Sequence, residues 1–263
     1  MKKVLLVVGS VVFLIVGGYA YLFYRWQHLW IPEPQKESYD ITQSNDDTIR
    51  VAMIGDSWAG MHDEMSMDTV LQSCLSFLTD QPVIMKSRGK GGEKSRGVYQ
   101  LMFEKDGYGT KSLIDGSDYC IVLAGINDAA ANLGTGQYVY HMQLILDLLL
   151  SNQICPVIIE IPDVNIRRLY GNKPVKDLLT DYMKSKMTGC GLYRFSDYRE
   201  ALKEMLQANY GDKHLLYIPT LGWNGDGQEI NKDLFLDDQI HLNRYGYERL
   251  DSCIALAIAS DFI

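Results

Sequence analysis

The stretch Val51–Trp58, VAMIGDSW, decides how this chain is read. Four apolar residues, Val51 to Ile54, run straight into Gly55-Asp56-Ser57-Trp58. A short unbroken apolar run suits a strand buried on both faces, and such strands belong to parallel sheets covered by helices. Gly55 then predicts a tight turn out of the strand. A serine in that turn, ahead of a helix, presents its hydroxyl above the sheet edge. Its own N–H then lies near a helix N-terminus, where developing negative charge is stabilised. Taken alone, Ser57 reads equally as a helix cap and Gly55 as a plain turn residue.

Working outward, strands and helices alternate. Helical spacing covers Met61 to Leu78, Glu93 to Phe103 and Gln137 to Leu150, with further helices at about 174–187 and 198–209. Pro82 to Lys86, Asp118 to Ala124, Pro156 to Ile161 and Leu215 to Ile218 read as strands. A closing helix spans Asn243 to Ala259, with Asn243 as its N-cap. The pattern predicts an α/β fold: a five-stranded parallel sheet with helices on both faces. In such sheets ligands bind beyond the carboxyl ends of the strands, near a topological switch point.

Two further polar motifs follow strands at those ends. Gly125-Ile126-Asn127-Asp128 comes directly after the third strand. An Asn amide can donate into an oxyanion hole, whereas the same residues also suit a turn and a helix cap. Asp238-Gln239-Ile240-His241 lies just before the last helix. An Asp three residues before a His can hold its imidazole in one tautomer, as a serine hydrolase requires. The other four histidines, His28, His62, His141 and His214, show no metal-ligand spacing, and the sequence assigns no metal and no cofactor. His62-Asp63 lies close to Ser57, but a helix starting there carries the pair away from it.

In this order and at these places, the three motifs resemble those of the SGNH hydrolases, also called GDSL esterases and lipases. Gly55-Asp56-Ser57 is similar to that family's first block, Gly125-Ile126-Asn127-Asp128 to its third, and Asp238-Gln239-Ile240-His241 to its fifth. The second block contributes a glycine after the second strand; Gly92 in Arg88–Ser95 fits best, with Gly89 as the alternative. The resemblance covers roughly residues 50 to 260. It implies a three-layer flavodoxin-like fold and ester hydrolysis without a metal. By position, Ser57 would be the nucleophile, His241 the general base and then acid, and Asp238 its orienting carboxylate. The backbone N–H groups of Ser57 and Gly92 and the Asn127 amide would form the oxyanion hole. Trp58 departs from the aliphatic residue usual at its place, and is expected to narrow the pocket or pack on the sheet.

The 263 residues carry a net charge of −8, which argues against a nucleic-acid partner. Before the folded domain, an uncharged run from Val4 to Tyr24 follows Lys2 and Lys3 and spans about 30 Å as a helix. An uncleaved membrane anchor is favoured over a signal peptide cut after Gly18-Tyr19-Ala20, because Tyr21 to Tyr24 prolong the apolar run. The leading lysines place the N-terminus in the cytoplasm and the domain in a periplasm or extracellular space. The domains expected are an anchor or signal segment at 1–26, a linker at 27–48, and the hydrolase domain at 49–263. Five cysteines, odd in number and widely spaced, do not form a disulfide framework. The substrate expected is a carboxylic ester, with O-acetyl or short acyl groups on extracytoplasmic carbohydrate leading. A lipase or thioesterase, an acyltransferase, and a non-catalytic glycan- or protein-binding module are the alternatives. Asp163 to Asn172 and Thr220 to Glu229 are expected to shape the pocket, with plain surface loops as the alternative.

Overall fold

A computed structural model describes residues 2–29, 47–164, 173–220, 222–223 and 231–262. Most of the linker expected at 27–48 and most of the two pocket-shaping segments lie outside these residues; residues 27–29 continue the N-terminal helix. The chain forms two compact units, Met1–Pro34 and Gln35–Ile263. In the first, helix α1 (Lys2–Leu29) contains the apolar span Leu6–Tyr24, none of it buried. That helix is long and apolar enough to be a membrane anchor or a signal sequence.

The second unit alternates strand and helix: β1 (Ile49–Gly55), α2 (Ser57–Glu64), α3 (Asp68–Thr79), β2 (Val83–Gly89), α4 (Ser95–Leu101), α5 (Lys111–Ile114), β3 (Tyr119–Leu123) and α6 (Ile126–Ala130). There follow α7 (Thr135–Ser151), β4 (Cys155–Ile159), α8 (Val175–Thr188), α9 (Phe195–Tyr210), β5 (Leu216–Ile218) and α10 (Arg244–Phe262). All strand pairs are parallel, in the order β2-β1-β3-β4-β5. From β1 the chain steps out to β2, then crosses back to β3 on the other side. The crevice between the carboxyl ends of β1 and β3 is therefore the switch point, and Ser57 and Asn127 follow those two strands.

Strand alternation feeds two cores. Ala52, Ile54, Cys120, Val122 and Ile158 point into one, which α4, α7 and α9 complete. Val51, Met53, Ile121, Leu123 and Val157 point into the other, closed by α3 and α10. Each buried aliphatic side chain contributes about 1.5–3 kcal/mol over leaving it exposed, so both faces of the central strands must be covered. Backbones approach closely where β1 ends: a Cβ on Gly55 would meet the Leu123 carbonyl oxygen at 2.2 Å, and one on Gly89 the Asp56 carbonyl oxygen at 2.1 Å. Only glycine fits at either place.

One expected helix is two. Met61 to Leu78 breaks between α2 and α3, where Ser66 takes φ +59° and Met67 is fully buried. The turn swings Asp68 back onto His62, a contact that no local periodicity encodes. At the closing helix Asn243 does act as a cap: its Oδ1 accepts from the Gly246 N–H at 3.0 Å.

Candidate active site

The local fold around Ser57 begins with Asp56. Its carboxylate, not the Ser57 hydroxyl, caps α2, accepting from the Trp58 N–H at 3.0 Å. Ser57 is thereby the first residue of the helix, and its side chain is left for other partners. Across the crevice, the segment before α10 folds into a closed turn. Phe235 and Leu242 form an antiparallel bridge, and the Leu236 N–H donates to the His241 carbonyl at 2.8 Å. Within the turn Gln239 is buried with φ +66°, a conformation that brings the residues on either side of it round onto one carboxylate.

Asp238 organises that turn. Its Oδ1 accepts from the Ile240 and His241 N–H groups at 2.9 and 3.0 Å, and its Oδ2 meets His241 Nδ1 at 2.6 Å. The other ring nitrogen, Nε2, lies 2.8 Å from Ser57 Oγ. Burial pushes the Asp238 carboxyl upward, but the hydrogen bonds from the His241 ring and from the two backbone N–H groups outweigh it and hold it below its ordinary value. An ionised Asp238 fixes the proton on Nδ1, so that Nε2 can accept from the serine hydroxyl. Ser57, His241 and Asp238, 184 and 3 residues apart in sequence, thus form one hydrogen-bonded line.

The remaining expected residues sit around this line. Asn127 is in the first turn of α6, and its Nδ2 donates to Glu93 O at 2.9 Å and to Asp56 Oδ2 at 3.2 Å. Both amide hydrogens thus have protein acceptors in the free enzyme. Asp128 does not cap its own helix. It is fully buried and accepts from the N–H and hydroxyl of Ser95 at 2.8 and 2.6 Å, which caps α4 from across the crevice. Gly92 lies in the loop before α4 with φ +75°; an added Cβ would meet nothing within 4 Å, so it is the backbone conformation that calls for glycine. Burial pushes the Asp56 carboxyl up to about 7, with the neighbouring Asp128 adding to the effect against hydrogen bonds from Trp58 and Asn127.

Trp58 has a part that sequence reading missed. Its side chain is buried, and its indole Nε1–H donates to the Ile240 carbonyl at 3.0 Å. The Tyr247 hydroxyl of α10 donates to the Trp58 carbonyl at 2.9 Å. The residue after Ser57 therefore clasps the residue before His241. A buried tryptophan is costly unless its N–H is satisfied, and that was the only signal available in sequence. Beside Trp58 and Asp56 lies a small, half-open cavity of about 10 Å³, walled by Leu123, Ile126, Ile159 and Ile161.

The fold is a three-layer α/β sandwich with a hydrogen-bonded serine, histidine and aspartate at its switch point. Residues 53–249 match the GDSL-like lipase/acylhydrolase family, and the chain belongs to that family. Among solved structures it is similar to the lipase/acylhydrolase of Enterococcus faecalis (15% identity, 81% of this chain and 97% of that one, TM-score 0.55). It is also similar to the psychrotrophic esterase EstA of a Pseudoalteromonas species (14% identity, 82% and 98%, TM-score 0.53) and to the acetyl xylan esterase AlAXEase (16% identity, 82% and 100%, TM-score 0.53). Such likenesses speak for the fold. No curated protein matches the chain by sequence.

Proposed function

We propose that the protein is a serine esterase that cleaves O-acetyl or other short acyl groups from carbohydrate outside the cytoplasm, through an acyl-enzyme on Ser57. The observation that carries this reading is the continuous line from Asp238 through His241 to Ser57. His241 Nε2 takes the serine proton as Oγ attacks the ester carbonyl, and then gives it to the leaving alcohol. Water, activated by the same nitrogen, releases the acid. Asp238 stabilises the imidazolium that forms in each half-reaction. The N–H groups of Ser57 and Gly92 and the Asn127 amide receive the oxyanion. For Asn127 to serve, one amide hydrogen turns from Asp56, its longer and weaker acceptor, to the substrate oxygen. Carbohydrate as the alcohol follows the acetyl xylan esterase among the similar structures and an extracytoplasmic setting. That setting follows from α1 as an uncleaved anchor, with Lys2 and Lys3 on the cytoplasmic side.

A fluorophosphonate should label the full chain and fail to label Ser57→Ala; persistent labelling of the variant removes Ser57 from the nucleophile's role. Hydrolysis of nitrophenyl esters should be fastest at acetyl and fall steeply by octanoyl. A maximum at long chains would reassign the enzyme as a lipase. Protease added outside intact cells or spheroplasts should digest the hydrolase unit, and protection of that unit would reverse the topology.

A further inference from the structure

The edge of the sheet opposite Ser57 holds a second meeting point of reactive side chains. Cys155 opens β4, His214 lies two residues before β5, and Asp261 is in the last turn of α10. Because the strands are parallel, the starts of β4 and β5 share one edge, and the end of α10 reaches it. There His214 Nε2 lies 2.6 Å from Asp261 Oδ1 and 4.0 Å from Cys155 Sγ, and all three atoms fall within 4.8 Å of one another. We propose that Cys155, His214 and Asp261 form a zinc site with water as its fourth ligand. It would act as a staple joining the starts of β4 and β5 to the end of α10. The inference does not depend on the esterase reading.

The donor set selects the metal. A thiolate, an imidazole and a carboxylate together suit Zn²⁺, whereas Mg²⁺ and Ca²⁺ take oxygen ligands. Tetrahedral zinc, with bonds of about 2.0–2.3 Å, sets its ligand atoms roughly 3.3–3.6 Å apart. From 4.0 Å, Cys155 and His214 would close by about 0.4 Å, and from 2.6 Å the Asp261 oxygen would swing away from Nε2 by about 0.7 Å. His214 is an exposed side chain and Asp261 is on a helix end, so both can move. Cys155, the buried ligand, is the fixed one: its register partner on β3 is Tyr119.

Two further features distinguish this from an ordinary surface ion pair. Tyr119 donates from its hydroxyl to Asp261 Oδ2 at 2.9 Å, the kind of supporting bond that orients a ligating carboxylate while leaving its other oxygen for a metal. The electrostatics also favour a cation. Asp261 sits at the C-terminal end of α10, where the helix dipole is negative, and Asp118 adds its charge beside Tyr119. A divalent ion here neutralises charge that the fold has gathered. Binding releases the Cys155 thiol proton to solvent and requires His214 neutral, so affinity should rise with pH. Sequence spacing could not reveal the site, because its ligands stand at 155, 214 and 261.

Co²⁺ tests the proposal, since thiolate ligation gives an intense near-ultraviolet charge-transfer band and tetrahedral geometry strong visible bands. The untagged full-length chain, reduced and solubilised in detergent, should show both with one equivalent. Cys155→Ser should lose the near-ultraviolet band, and His214→Gln should weaken binding at least tenfold. Zn²⁺ at a hundredfold excess over its Kd should raise the wild-type Tm by roughly 5–10 °C, and EDTA should reverse the rise. His214→Gln, altered at an exposed position, keeps the test valid if Cys155→Ser does not fold. A wild type without the band, a band that survives Cys155→Ser, or the same Zn²⁺-induced rise in His214→Gln would each overturn the site.

Discussion

Two histidines in this protein each meet aspartate and serine, and only one of them turns towards its serine a ring nitrogen that no carboxylate holds. His241 touches Asp238 with Nδ1 and Ser57 with Nε2, in a turn open to the crevice. His62, on α2, is fully buried: its Nδ1 lies 2.8 Å from Asp68 and 3.3 Å from Ser87, and its Nε2 lies 2.9 Å from Asp251. The residue types are the same, but the partners of the ring nitrogens are not. With a carboxylate on each nitrogen, His62 is a donor at both ends and cannot accept a serine proton. Burial alone would lower its pKa, but the hydrogen bonds to Asp251 and Asp68, with their charges, raise it to about 9. His241 has one carboxylate and one hydroxyl, and so keeps a lone pair for the serine. A hydrogen-bonded Ser, His and Asp is therefore no sufficient sign of catalysis. The second nitrogen must be able to accept, and the cluster must face a ligand.

Exchanging the roles of the two histidines is the largest test. His241→Gln should cut kcat by roughly 10⁴–10⁶, with Tm within a few degrees of wild type. His62→Gln should do the reverse, lowering Tm markedly while kcat per folded molecule stays within about threefold. Activity lost equally in both would mean that His62 also reaches the reaction.

The carboxylates sharpen the contrast. Asp238→Asn should cost roughly 10² to 10⁴ in kcat with little change in stability, since the amide presents the wrong partner to Nδ1. Asp251→Asn should instead destabilise the fold, because it leaves a buried charge on His62 with one fewer counter-charge. Full activity in Asp238→Asn would require another orienting carboxylate, and the adjacent Asp237 would be tested next.

The buried cluster leaves its own mark on stability against pH, alongside that of Asp56, whose carboxyl is pushed up to about 7. The His62 pKa is raised from 6.5 to about 9, so its contribution is fully present below pH 6.5 and is lost as pH rises through 9. Between those limits the loss should be of order 3 kcal/mol, measured by denaturant unfolding. His62→Gln should flatten that slope; an unchanged slope would assign it to other groups.

The smallest expected effect comes from the clasp between α2, which begins at Ser57, and the His241 turn. Trp58→Phe keeps most of the buried ring but removes the N–H that holds the Ile240 carbonyl. It should lower kcat by about tenfold with KM little changed, because a looser turn spends less time with His241 in line with Ser57. An equal fall in Tm with unaltered kcat would leave Trp58 a packing residue only.

The sequence by itself determined the architecture. Val51 to Ile54, Cys120 to Leu123 and Val157 to Ile159 are apolar on consecutive positions, as suits short strands buried on both faces. Gly55, Gly125 and the turn before α10 mark where those strands and loops discharge polar residues at one sheet edge. The pair Asp238 and His241 was legible because three residues in one turn are close whatever the rest of the chain does. Tertiary structure decided what spacing cannot carry. It broke the helix after Glu64 so that Asp68 could return to His62, set the Asp128 carboxylate on α4, and laid the Trp58 indole against Ile240, 182 residues away. The physical reason is the same in each case. Backbone periodicity records which face of an element is buried, whereas a buried polar group is satisfied by whatever partner the fold brings within about 3 Å.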